Sequence, residues 1–387
     1  MNRMLCVLLF ALLFISGCSR SDRADEYAGL EYRGGRHVSL TAFADTDTLL
    51  IAAGPTSLDG RWMLSDGRLL FLDYYMVGVR EYDMQGRFIS RHISRGRGPD
   101  EMLSPAFVST ITGDGGLVML DSSWWIYVYD SVYRRTADPY PFLSDIPLDR
   151  DDWMQLLHKP DPEVKYMYEF NANVRRIKVV DSLLVMPVVT EHVLYNGYET
   201  GGQARKFWNE AYNFIFVDLK NRTTGRLFGS YPPVYRQRNI PVFSAFDFDT
   251  DAAGNNIYVG YAADSLIYVR NLADGRLLYS FGCGAEGVSS DFPATGSFRE
   301  YETVYRSHSQ KYGYYTHLVR VGDYSFRSYK KEGNAGYGIQ IYRGTELIGN
   351  VVTDSPLEII GRHDDWFYGI LPADMDNESF KILKFML

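Results

Sequence analysis

Asp66-Gly67-Arg68-Leu69-Leu70-Phe71-Leu72-Asp73 recurs 48 residues later as Asp114-Gly115-Gly116-Leu117-Val118-Met119-Leu120-Asp121. Each copy is followed by an aromatic run closing on Tyr-Asp, first Val79-Arg80-Glu81-Tyr82-Asp83 and then Ile126-Tyr127-Val128-Tyr129-Asp130. Asp and Gly tolerate the left-handed backbone of a tight turn, so each unit reads as turn, buried strand, hairpin and second strand. Gly86-Arg87-Phe88-Ile89 adds a further turn and strand to the first unit.

The pattern extends outward from this pair. Gly254-Asn255-Asn256-Ile257-Tyr258-Val259 leads to Ile267-Tyr268-Val269-Arg270-Asn271 and then to Asp274-Gly275-Arg276-Leu277-Leu278. Weaker copies begin at Asp181-Ser182-Leu183-Leu184, at Tyr324-Ser325-Phe326 and at Trp366-Phe367-Tyr368. Six units of three or four antiparallel strands follow, with no long helical period between them. One such sheet cannot bury both of its faces, and radial stacking hides them. The fold expected is therefore all-β, a six-bladed β-propeller over residues 37–387, preferred to an open sandwich pair or a solenoid. The units exceed the ~40–50 residues of compact blades. The excess sits in insertions at 149–170, 195–212 and 289–315. The chain ends inside a strand pattern, so an early strand, 38–43 or 48–53, is expected to complete the last blade.

The first residues carry an address. Met1-Asn2-Arg3 precedes an apolar run from Met4 to Ile15 and then Ser16-Gly17-Cys18. The run is too short for a bilayer that needs ~20 residues, and it reads as a signal peptide spanning 1–17. Ile15-Ser16-Gly17-Cys18 resembles the lipobox of bacterial lipoproteins, which implies a diacylglycerol on Cys18 and a lipidated polar tether over 18–36. Of three cysteines, Cys6 leaves with the signal and Cys18 takes lipid, so the lone Cys283 has no partner for a disulfide. An outer-membrane lipoprotein on the periplasmic face or the cell surface is expected, meeting the membrane through the anchor alone.

Composition excludes two classes. With 30 Tyr, 22 Phe and 6 Trp the chain can bury too much to be disordered. With 48 acidic against 40 basic residues and a net charge of −8, it would repel nucleic acid.

Ser94-Arg95-Gly96-Arg97-Gly98-Pro99-Asp100-Glu101 stands at the crossover after the first unit, and Phe281-Gly282-Cys283-Gly284-Ala285-Glu286-Gly287 echoes it without the proline. Gly96 and Gly98 suit positive φ, Pro99 fixes a turn, and Glu101 can accept backbone amides. The loop lacks the Lys-Ser/Thr pair and helix of a phosphate-binding loop. This Gly-x-Gly-Pro-x-Glu crossover resembles the TolB-like, NHL-related six-bladed propeller lipoproteins of Bacteroides-type bacteria. The resemblance implies a ring and a lipid anchor, and it implies no reaction.

Catalytic patterns do not emerge. Asp247-Phe248-Asp249-Thr250-Asp251 resembles a calcium loop, but Ala252 and Tyr258 stand where an EF-hand needs Gly and Glu, so an Asp-rich turn is expected. The seven histidines show no zinc spacing. Asp151-Asp152 and Asp364-Asp365 are adjacent, which on a strand sends them to opposite faces. No catalytic residue, metal site or cofactor is assigned. Most aromatics are expected to pack between blades. Those of the insertions, Tyr198, Trp208, Tyr312, Tyr314 and Tyr315, are the candidate contacts for a protein partner or a glycan. The function expected is a binding or scaffold module. The alternative is a lactonase-like propeller hydrolase with an axial metal or acid/base site.

Overall fold

Asp66, Gly67, Gly115 and Asp181 all take positive φ at turns between an apolar strand and the strand before it. Such turns match the twist of antiparallel strands, and they recur around a ring of six sheets. The computed structural model describes residues 25–147, 149–190, 192–198 and 202–387. Residues 1–17, read as a signal peptide, and Cys18 lie outside the described residues.

Blade 1 comprises Gly60–Ser65, Arg68–Asp73, Gly78–Tyr82 and Phe88–His92. Blade 2 comprises Ala106–Ile111, Leu117–Asp121, Trp125–Tyr129 and Tyr140–Pro141. Blade 3 holds Lys178–Val180, Leu183–Val189, Phe214–Asp218 and Thr223–Phe228, with Glu169–Phe170 also paired to its second strand. Blade 4 runs through Phe246–Thr250, Asn256–Tyr261, Ile267–Asn271 and Leu277–Phe281. Blade 5 has Tyr314–Val321, Tyr324–Lys330, Tyr337–Arg343 and Glu346–Thr353. Blade 6 has Glu358–His363, Trp366–Asp374, Ser379–Met386 and, from the other end of the chain, Ala44–Ala52. The protein is a six-bladed β-propeller.

The six sequence units coincide with the second and third strands of the blades. These strands are covered on both faces, and Gly78–Tyr82 and Leu117–Asp121 are buried along their whole length. Each fully buried Leu, Phe or Val there contributes roughly 1.5–3 kcal/mol. The first strands of successive blades touch one another and line the axis. The Asp-rich stretch belongs to one of them. Residues Phe246–Thr250 are the inner strand of blade 4, and the turn begins only at Asp251.

Both early segments are used. Ala44–Ala52 closes blade 6 antiparallel to Ser379–Met386, and Gly35–Leu40 runs parallel to the outer strand of blade 5. Ahead of them Tyr32 bridges Ser280 on the outer strand of blade 4. Residues 25–36, polar enough to read as tether, thus lie along the ring. Tyr27 is buried and donates to the Ser230 carbonyl, while Glu26 pairs with Arg270.

Each of the three insertions holds a helix, α1 (Arg150–His158), α2 (Ala204–Glu210) and α4 (Phe298–Lys311), and α3 (Pro233–Arg238) lies in the connection from blade 3 to blade 4, outside them. Asp151 and Asp152 lie in the first turn of α1, capped by Asp149, instead of on a strand. In α4, Ser297 Oγ accepts from the Glu300 amide at 3.1 Å, the Ser-x-x-Glu signature of a helix start. Crossovers between blades and the loops joining second to third strands share one end of an antiparallel ring. All four helices sit in such connections, so they crowd that crossover end.

Candidate functional site

The axis opens at the crossover end into a funnel of about 520 Å³, lined by Arg61, Tyr74, Arg176, Asp247, His317 and Glu358 among others. Blades 1, 3, 4, 5 and 6 contribute, each through residues at or just ahead of the start of its inner strand, joined by Tyr74.

Alternation along the inner strand of blade 4 places Asp247 and Asp249 on one face, where Arg176, just ahead of the inner strand of blade 3, and Lys178 within that strand reach them. Arg176 is 4% exposed and grips Asp247 through two bonds, Nε to Oδ1 at 2.6 Å and Nη2 to Oδ2 at 3.0 Å. Lys178 Nζ stands 2.6 Å from Asp249 Oδ1, and Glu358 Oε1 lies 3.5 Å from Arg176 Nη2. The two aspartates also join blade 4 to blade 5. Asp247 accepts from the Leu318 amide at 3.0 Å and Asp249 from the Arg320 amide at 2.9 Å. Carboxylates thereby satisfy amides that neighbouring inner strands cannot pair in a ladder.

The charges support one another. Burial would raise the pKa of Asp247, but Arg176 and His317 outweigh it and hold the carboxyl well below the usual range. Burial likewise opposes ionisation of Glu358, which His317, Arg61 and Arg176 keep charged. For His317, burial disfavours the imidazolium, while Glu358 and Asp247 favour it and the balance lies above the ordinary value. His317 Nδ1 is 3.7 Å from Asp247 Oδ2. Arg61 donates to the Arg175 carbonyl at 2.9 Å. Among the described residues no three His, Cys, Asp or Glu side chains are placed to hold a metal ion. Chemically, the mouth offers guanidinium donors and a carboxylate on a rigid frame. Asp247 is too acidic to exchange a proton near neutrality.

The aromatic candidates divide. Trp208 and Tyr315 are 2% and 5% exposed and belong to the core, correcting their reading as contacts. Trp208 packs on Phe207, Tyr231 and Tyr235 and donates Nε1 to Asn239 at 2.8 Å. Tyr315 lies under the Arg327 guanidinium, 3.6 Å from ring centroid to Cζ, and donates to the Cys283 carbonyl. Tyr312 and Tyr314 are half-buried against Phe243. Tyr198 is half-buried and meets Phe298 and Tyr301 edge-on. Trp208 folds down because a helix still needs a core, and Tyr314 and Tyr315 belong to the inner strand of blade 5.

In the crossover loop, Glu101 accepts from the Gly98 amide at 2.6 Å and from Ser94 Oγ at 2.8 Å. Positive φ is not what the glycines supply. A Cβ on Gly96 would lie 2.0 Å from Glu101 Oε2, and one on Gly98 would lie 3.0 Å from it, so the requirement is close approach to the carboxylate.

The axial residues Arg176, Lys178, Asp247, Asp249, His317 and Glu358 escaped assignment as a site. The i, i+2 spacing of Arg176 with Lys178 and of Asp247 with Asp249 is the one local signal they carry.

No family model and no curated protein matches the chain. Solved structures do. A member of the duf4221 family from Bacteroides vulgatus is 12% identical, with a TM-score of 0.66 over 89% of this chain and 97% of that one. An exported protein, as its name has it, from Bacteroides fragilis is 13% identical, with a TM-score of 0.53 over 92% of this chain and 98% of that one. At such identities the likeness establishes the fold.

Proposed function

We propose that the chain is an exported, lipid-anchored binding module whose axial funnel takes a polar group of a protein partner or a glycan. The observation that carries this reading is the funnel itself. Its deep charges are locked in mutual pairs, while Arg61, His317 and Glu358, though each has a partner, keep exposed surface at the mouth to meet a ligand. The lipobox-like Ile15-Ser16-Gly17-Cys18 supports a lipid anchor, and the name of the Bacteroides fragilis neighbour, an exported protein, supports export. The crossover loop Ser94–Glu101 supports kinship with TolB-like, NHL-related lipoprotein propellers.

A glycan array and a pull-down with the intact lipoprotein test the reading. Hydrogen bonds to charged groups contribute ~1.5–3 kcal/mol, so Arg61→Ala and Glu358→Gln are each expected to weaken capture about tenfold or more. Capture indifferent to both substitutions would sink the funnel as the binding site. One feature favours a second reading. His317 stands between two carboxylates in an open cavity, which suits acid/base work. Hydrolysis of a lactone or ester abolished by His317→Gln would establish a hydrolase instead.

A further inference from the structure

The two ends of the ring differ in what they expose. At the crossover end, large apolar side chains stand exposed in sector after sector: Tyr75, Leu103, Trp153, Val193, Phe298 and Met375, from 44% to 73% exposed. Each lies in a crossover or in a loop joining second to third strands. At the opposite end, the first hairpin of five blades exposes aspartate: Asp66, Asp114, Asp181, Asp323 and the pair Asp364-Asp365. The remaining exposed large apolar side chains of that side are few, with Val132 in a turn and others on outermost strands.

The chain enters at the apolar end. Asp25 pairs with Arg236 of α3, and Tyr27 is bonded to Ser230, where blade 3 crosses to blade 4. Cys18 lies seven residues before Asp25, a stretch that reaches at most ~25 Å when fully extended. An acyl group on Cys18 therefore holds this end, and not the aspartate-bearing one, within a short reach of the bilayer. A single acyl chain anchors marginally, and added apolar side chains at the interface strengthen binding. Scattered exposed apolar residues are ordinary, but a circle of them concentrated at the tethered end marks an interaction face.

We infer that the crossover end is a membrane-seating face, whose apolar side chains enter the headgroup layer of the bilayer that carries the anchor. This rests on the lipid anchor of the proposed reading. So seated, the funnel opens toward that layer, and its ligand is a group displayed there.

The test uses the full lipidated chain in phospholipid vesicles. Tyr75→Cys, Phe298→Cys and, as the opposite pole, Asp323→Cys are each labelled with a water-soluble maleimide and with an environment-sensitive fluorophore, the parent chain with Cys283 setting the baseline. Labelling at 75 and 298 is expected to be roughly tenfold slower than at 323, with blue-shifted emission that lipid-borne quenchers diminish. Acylated, vesicle-bound protein with equal labelling at all three positions overturns the seating face alone. Protein that carries no acyl mass and stays in the aqueous phase overturns both the anchor and the face. Protection that appears without vesicles as protein concentration rises assigns the face to a second copy and also overturns the proposal.

Discussion

Arg176 and Asp247 show how one buried pair fixes an axis. Both are under a tenth exposed, and their two bonds join blades 3 and 4 at the mouth. Removing one partner of a buried pair costs ~3–5 kcal/mol, because the other charge stays behind. Asp247→Asn is expected to lose that much in chemical denaturation. His317 adds a pH dependence of definite sign. Its folded pKa is raised, so the stability it contributes is complete below the unfolded value of ~6.5 and is lost as pH rises through the folded value. Denaturation across pH 5–9, paired with an imidazole NMR titration, is expected to show this decline, and His317→Gln is expected to flatten it.

At the scale of elements, the belt formed by residues 25–52 decides how the ring is held. It crosses blades 4 and 5 on their outer strands and then supplies the last strand of blade 6. Covering outer edges removes unpaired backbone groups that would otherwise template aggregation. Its first fixture is chemical. Arg270 has no exposed surface and meets both Glu26 oxygens at 2.8 Å. Although residue 26 reads as tether by composition, Glu26→Ala is expected to cost ~3–5 kcal/mol by leaving Arg270 buried and uncompensated. Hydrogen exchange is expected to rise first in residues 25–33 and in the outer strand of blade 4. A protection pattern unchanged by this substitution would mean that the belt contributes nothing to stability.

For the whole molecule, closure couples the two chain ends. Ile51, 1% exposed, sits opposite Phe380 in the strand that pairs with Ser379–Met386, and shares a core cluster with Trp62 of blade 1. A charge placed there would be buried without a partner, at a cost of several kcal/mol. Ile51→Asp is expected to open the ring between blades 6 and 1, seen as lost cooperativity in thermal unfolding. A variant that unfolds in a single transition at the parent temperature would show that closure is not needed.

How far the sequence reached follows from where its signals sit. Second and third strands such as Leu69–Leu72 and Val118–Leu120 are buried on both faces by neighbours of the same kind, so burial writes itself as apolar runs with Asp-Gly turns. Six such runs determined blade number, ring closure and fold class. Inner strands face a polar channel and write a mixed pattern, and for that reason Asp247-Phe248-Asp249 reads as a turn. The insertion aromatics Trp208 and Tyr315 looked like contacts, since a sequence does not reveal which side of a helix or strand finds a core. By itself the sequence determined the ring, because each blade is a local repeat. The tertiary structure alone decided the funnel and the apolar end, because both are assembled from residues of different blades that meet only when the circle closes.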